Sequence, residues 1–137
     1  MVRVVRPSRI PNLDAALLRR VLRCCWALYG GPPVGRLDIV FLDRAQHTRL
    51  HEDLLGDPRE TDVMALPYED PDLYGEILVN RDRAMCEARR RRLPPWREGL
   101  LYCVHGSLHL LGFRDDTPAS ARAMRAAEKR VLKTCIS

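Results

Sequence analysis

Leu37 to Leu42 reads LDIVFL, an apolar run interrupted only by Asp38, and its length and composition predict a buried strand. Helical signals flank it on both sides. Upstream, Leu13, Leu17, Val21, Leu22, Cys25 and Leu28 recur three and four residues apart, the spacing of one helix face. Asn12 is expected to cap that helix, and Gly30-Gly31-Pro32-Pro33 ends it. Downstream, Asp43 is expected to cap a second helix that reaches Leu55 and breaks at Gly56-Asp57-Pro58.

Further out, the β-branched segment Val2 to Val5 predicts a short first strand. TDVMAL at Thr61 to Leu66 and YGEILVN at Tyr74 to Asn80 predict two more, separated by a turn rich in Asp and Pro. A helix starting at Asn80 or Asp82 runs into the arginines before Pro94 and Pro95, and Pro95 suits the first position of the next helix. That helix continues to Leu111, with Gly112 as its left-handed cap. Thr117-Pro118 opens a last helix carrying Ala121, Met124, Ala127, Glu128, Val131 and Leu132. The count is four strands interleaved with five helices. It places the chain in the α+β class, a small mixed sheet covered by helices, as one domain over residues 1–137.

Composition sets the outer limits. With 46% hydrophobic and 30% charged residues, the chain is globular rather than disordered. No apolar run approaches the roughly 20 residues that span a bilayer, and MVRVVRPSRIPN has no apolar signal core. The expected location is the cytoplasm, with no membrane partner. The five cysteines (24, 25, 86, 103 and 135) include no CxxC pair. They are expected to be small buried thiols, without a disulfide framework or a cysteine zinc site. The net charge of +5 is carried almost wholly by arginine, since Lys129 and Lys133 are the only lysines. Such a balance attracts polyanions.

The richest chemistry lies in CVHGSLHLLGFRDD, Cys103 to Asp116. Histidines four apart on a helix are turned by about 40° and separated by roughly 6 Å along the axis. His105 and His109 can therefore converge on one ion. Gly112 permits a sharp return that presents Asp115 as a third ligand. Two imidazoles and a carboxylate suit one zinc ion and leave a fourth position open. A zinc protease of the HExxH kind needs Glu beside its first His. Gly106 stands there instead, so peptide hydrolysis by that scheme lacks its base.

HGSLHLLGFRDD at His105 to Asp116 resembles HGxLHLxGYDH, the signature of the YbeY endoribonucleases. TDVMALPYE at Thr61 to Glu69 is similar to that family's TDVLSFPFE, and YGEILVN to its LGDIVIS strand. Glu98, Met124 and Glu128 also match in order. The resemblance implies a metal-dependent endoribonuclease that cleaves single-stranded or structured RNA in ribosomal RNA maturation and ribosome quality control. It implies ribosomal RNA or the small ribosomal subunit as partner, and one Zn2+ held by His105 and His109. Three departures stand out. Asp115 takes the place of the family's third His; Leu55 takes that of an Arg in the second helix; Leu101 takes that of a further His. Arg59 is a candidate substitute for the missing Arg, and Asp116 a candidate catalytic acid or base. The alternative reading is a non-catalytic, ribosome-associated RNA-binding protein whose metal is structural.

Other features have plainer readings. His47 and His51 repeat the four-residue spacing without a third ligand and are expected on a solvated helix face. Arg89, Arg90, Arg91, Arg92 and Arg97 form the densest basic cluster and are candidate RNA contacts. Four consecutive residues cannot share one helix face, so only some of them would touch RNA. Trp96 is expected to be a half-buried anchor. Glu69, Glu76 and Asp116 are the acids expected nearest the ion.

Overall fold

The run at 37–42 forms the strand it predicts, and the rest of the sheet assembles around it. The structure, a computed structural model, describes residues 1–136. Among the described residues are strands β1 (Val2–Val5), β2 (Arg36–Leu42), β3 (Val63–Pro67) and β4 (Leu73–Asn80). The helices are α1 (Ala15–Tyr29), α2 (Arg44–Leu55), α3 (Arg81–Arg91), α4 (Pro95–Leu110) and α5 (Pro118–Ile136). The sheet order is β1-β2-β4-β3. β1 and β2 are parallel, as are β2 and β4, while β3 runs antiparallel to β4. This is the small mixed sheet with five helices expected for an α+β chain.

Alternation along the strands sets the two faces. Leu37, Ile39 and Phe41 of β2 lie in register with Gly75, Ile77 and Val79 of β4. Apart from Gly75, these side chains join the apolar core with residues from α1, α4 and α5. On the other face, Asp38 is buried, yet both Arg3 and Arg36 grip its carboxylate, at 2.7–3.2 Å. α4 is the central helix and touches β3, β4, α1, α3 and α5.

Three expectations need correction. The α1 cap is Asp14, whose carboxylate accepts from the Leu17 amide at 2.8 Å. Asn12 instead occupies a left-handed turn at φ 65°, a conformation that Asn tolerates. His47 and His51 are the buried residues of α2, not a solvated face. Each bonds a backbone carbonyl at 2.8 Å, His47 through Nε2 to Leu78 and His51 through Nδ1 to Asp57. A carbonyl only accepts, so both rings donate there, and among the described residues no third ligand group gathers with them. Finally, Cys24 and Cys135 form a disulfide, with Cα atoms 6.0 Å apart, because α1 and α5 pack side by side. Cys25 and Cys103 are the buried thiols expected, and Cys86 is an exposed one.

Candidate metal centre and adjoining cleft

Packing of α4 against the sheet decides which way its histidines face. Gly106 lies so close to β4 that a Cβ there would sit 2.9 Å from Ile77 Cγ2. The helix face at Gly106 is therefore pressed onto the sheet, and a glutamate at this position has no room. His105 and His109 emerge on the open side near the C-terminal end of α4. The partial negative charge of a helix C-terminus favours a cation there.

Beyond α4 the chain turns back on itself. The amide of Phe113 bonds the carbonyl of Leu108, and that of Gly112 bonds the carbonyl of His109, both at 3.0 Å. Together with φ 104° at Gly112, this is the Schellman pattern of a helix end. Phe113 then packs edge-on against Tyr29, ring centroids 5.3 Å apart, which anchors the returning segment to α1. Asp115 is thereby carried back over the histidines.

The three ligand groups meet. His105 Nε2 and His109 Nε2 are 3.0 Å apart, and Asp115 Oδ2 lies 3.2 Å from His109 Nε2 and 3.4 Å from His105 Nε2. Donors about 2.0–2.1 Å from a tetrahedral ion stand roughly 3.3 Å from one another. The observed triangle has that size, so the spacing of the three groups fits a zinc-sized ion. Their side chains remain 24%, 30% and 46% exposed for His105, His109 and Asp115, which leaves a fourth direction accessible.

Around His105 the surroundings are acidic. Glu128 of α5 places Oε2 at 3.1 Å from His105 Nδ1. Burial opposes charging of the His105 ring, but the hydrogen bond to Glu128 and the charges of Glu128, Asp62 and Asp115 outweigh it. The pKa of His105 is consequently raised above its ordinary value.

His105 also forms part of the wall of a cleft of about 600 Å3 between α3, α4 and α5. Arg83, Arg90, Arg91, Arg97, Arg125 and Lys129 line it, against the carboxylates of Asp62, Glu87, Glu98 and Glu128. Cations therefore outnumber acids in its walls. Arg91 lies 3.6 Å from the buried Glu98. Burial raises the Glu98 carboxyl above its usual range despite the opposing charge of Arg91.

The sequence-derived candidates separate cleanly. All five arginines are exposed; Arg90, Arg91 and Arg97 line the cleft and Arg89 and Arg92 do not. Arg92 adopts the left-handed cap of α3. Arg59 is exposed and bound to Asp57 at 2.7 Å, and Leu55 lies on the surface. Asp116 pairs with Arg114 at 2.6 Å, Glu76 accepts from the Tyr68 hydroxyl, and Glu69 is exposed. Trp96 is half-buried against the core, as expected. Arg83, Arg125 and Lys129 were not singled out from the sequence, and Asp62 and Glu128 only as parts of the family resemblance, without a role. The available signal was the spacing of 125, 128 and 129 within one turn of the last helix.

Comparison with known proteins agrees with this geometry. A family model described as Endoribonuclease YbeY matches residues 12–135. The Endoribonuclease YbeY of Chlamydia abortus is 28% identical over 134 residues, covering 90% of this chain and 82% of that protein. That of Alkalilimnicola ehrlichii is 32% identical over 124 residues, covering 85% and 75%. That of Chlorobaculum tepidum is 30% identical over 122 residues, covering 88% of each. In fold, the chain is similar to the solution structure of TM1509 from Thermotoga maritima, with a TM-score of 0.66 at 22% identity, covering 98% of this chain and 91% of that one. A match across nearly the whole length, with the signature histidines at the exposed end of the central helix, shows that the chain belongs to the YbeY endoribonuclease family.

Proposed function

We propose that the protein is a zinc-dependent endoribonuclease acting on single-stranded RNA, with the ion held by His105, His109 and Asp115. One observation carries the reading: the ligand triangle of 3.0–3.4 Å includes His105, a residue that also lines a cleft whose walls hold six cations against four carboxylates. Bound there, zinc supplies Lewis-acid polarisation for hydrolysis of a phosphodiester.

The chain's own residues do the rest. Arg83, Arg97, Arg125 and Lys129 present cations to a phosphate backbone, joined by Arg90 and Arg91, which also pair with Glu87 and Glu98, and the guanidinium fork matches phosphate oxygens in pairs. Asp115 brings one negative charge to the site, so a divalent ion there keeps a net charge of +1, where three neutral imidazoles leave +2. Arg59 and Asp116 receive no chemical role, since neither belongs to the ligand triangle or lines the cleft. A structural zinc is closed by its protein ligands, and the exposed Asp115 with three protein ligands argues against that alternative. Family membership supports ribosomal RNA as substrate, the small ribosomal subunit as partner and the cytoplasm as location. No helix among the described residues is long and apolar enough to cross a membrane.

The test is cleavage of single-stranded RNA by the purified, zinc-loaded protein. Internal cuts that a chelator abolishes and zinc restores are expected. Asp115→Ala should lower zinc affinity and remove cleavage together. RNA binding by fully loaded protein without any cleavage would overturn the enzyme reading in favour of a binding protein.

A further inference from the structure

We infer that Glu128 is the positioning residue of the metal centre, holding His105 in the one tautomer that turns a bare Nε2 toward the ion. The inference rests on the metal reading of His105, His109 and Asp115. It concerns a residue outside the ligand set, on a different helix and 23 positions away.

Helix α5 carries one residue out of pattern. Met124, Ala127, Glu128, Val131 and Cys135 are its buried residues, so Glu128 is a carboxylate on an otherwise apolar face. A buried carboxylate needs a hydrogen-bond donor. The donor is His105, with Nδ1 at 3.1 Å from Oε2. An ionised carboxylate only accepts, so the proton of this bond belongs to Nδ1. A neutral imidazole has a single ring proton; with it on Nδ1, Nε2 keeps its lone pair. That atom lies 3.0 Å from His109 Nε2 and 3.4 Å from Asp115 Oδ2, at a corner of the ligand triangle. The opposite tautomer sets the Nδ1 lone pair against the carboxylate and a proton in the ion's place. Glu128 thus orients the ring and, through its negative charge, makes Nε2 a stronger donor to a cation.

Its neighbours give the contact a second consequence. Arg125 and Lys129, three residues before and one after, line the cleft that His105 also borders. One turn of α5 therefore serves both the metal corner and the basic wall.

The experiment measures zinc affinity of the full-length protein by chelator competition, together with imidazole 15N spectra of the zinc-free form under alkaline conditions. The parent should show His105 protonated at Nδ1. Glu128→Ala should lose that preference and bind zinc about tenfold more weakly or worse. Glu128→Gln, which keeps the shape and an accepting oxygen without the charge, should fall between them and guards against loss of fold in the Ala variant. A merely structural Glu128 would lower thermal stability while leaving affinity and tautomer at parent values in either folded variant, and that result overturns the inference. Failure of the parent itself to bind zinc would instead sink the metal reading, and the inference with it.

Discussion

His47 has no exposed ring surface, and its one bonded nitrogen fixes its charge state. Nε2 donates to the Leu78 carbonyl at 2.8 Å, while Nδ1 is buried without a partner. Protonation would place a charged N–H at Nδ1 with nothing to receive it. Burial accordingly lowers the pKa of His47 below its ordinary value, against the raising effect of the Leu78 carbonyl. In the unfolded chain this histidine takes a proton near pH 6.5, before the folded protein does. Its contribution to stability is thus complete above that pH and is lost as the pH falls below it. The stability gap between parent and His47→Gln, measured by urea unfolding, should narrow as the pH is lowered from about 8 to about 5. A constant gap would mean that His47 is not the buried neutral ring described. The sequence hid this role, because α2 has a largely polar sequence and the carbonyl partner lies 31 residues away. It disclosed His105, His109 and Asp115 because helix period and one glycine turn are local properties.

Elements were legible for the same reason. Asp43 and Asn80 cap α2 and α3 through their own side chains, and Pro95 opens α4; each signal is complete within a few residues. Where a turn competes with a cap, as at Asn12, the local signal misled by two positions. How closely α4 approaches the sheet is a relation between elements, and Gly106 decides it. In Gly106→Ala the added methyl would meet Ile77 Cγ2 at 2.9 Å, on a branched and fully buried side chain. Helix propensity favours alanine by up to about 1 kcal/mol, whereas overpacking a tight core costs about 1–3 kcal/mol. The clash should win, giving a net loss of up to about 2 kcal/mol with a lower denaturation midpoint. A midpoint at or above the parent's would show that α4 can move off β4 freely. That outcome would also remove the packing reason for glycine where zinc proteases carry glutamate.

At the scale of the molecule, the features the sequence concealed all join remote segments. Glu128 reaches His105 from another helix, the cleft draws on α3, α4 and α5, and Cys24 finds Cys135 across 111 positions. No spacing rule connects such pairs, and an odd cysteine count without a CxxC pair argued against a bridge. The bridge links α1 to the last turns of α5 and so closes residues 24–135 into one loop. In the chain-entropy account, a cross-link of this span restricts the unfolded chain by up to about 4–5 kcal/mol. Oxidised protein should therefore unfold at a clearly higher denaturant concentration than the same protein in excess thiol reductant. A Cys24→Ser, Cys135→Ser double variant should match the reduced parent and ignore the reductant. Intact mass provides the independent check, since the oxidised parent is lighter by two hydrogens. Equal midpoints with and without reductant, in a parent whose mass shows the bond formed, would mean that α1 and α5 are held by packing alone and the covalent tie adds nothing to folding.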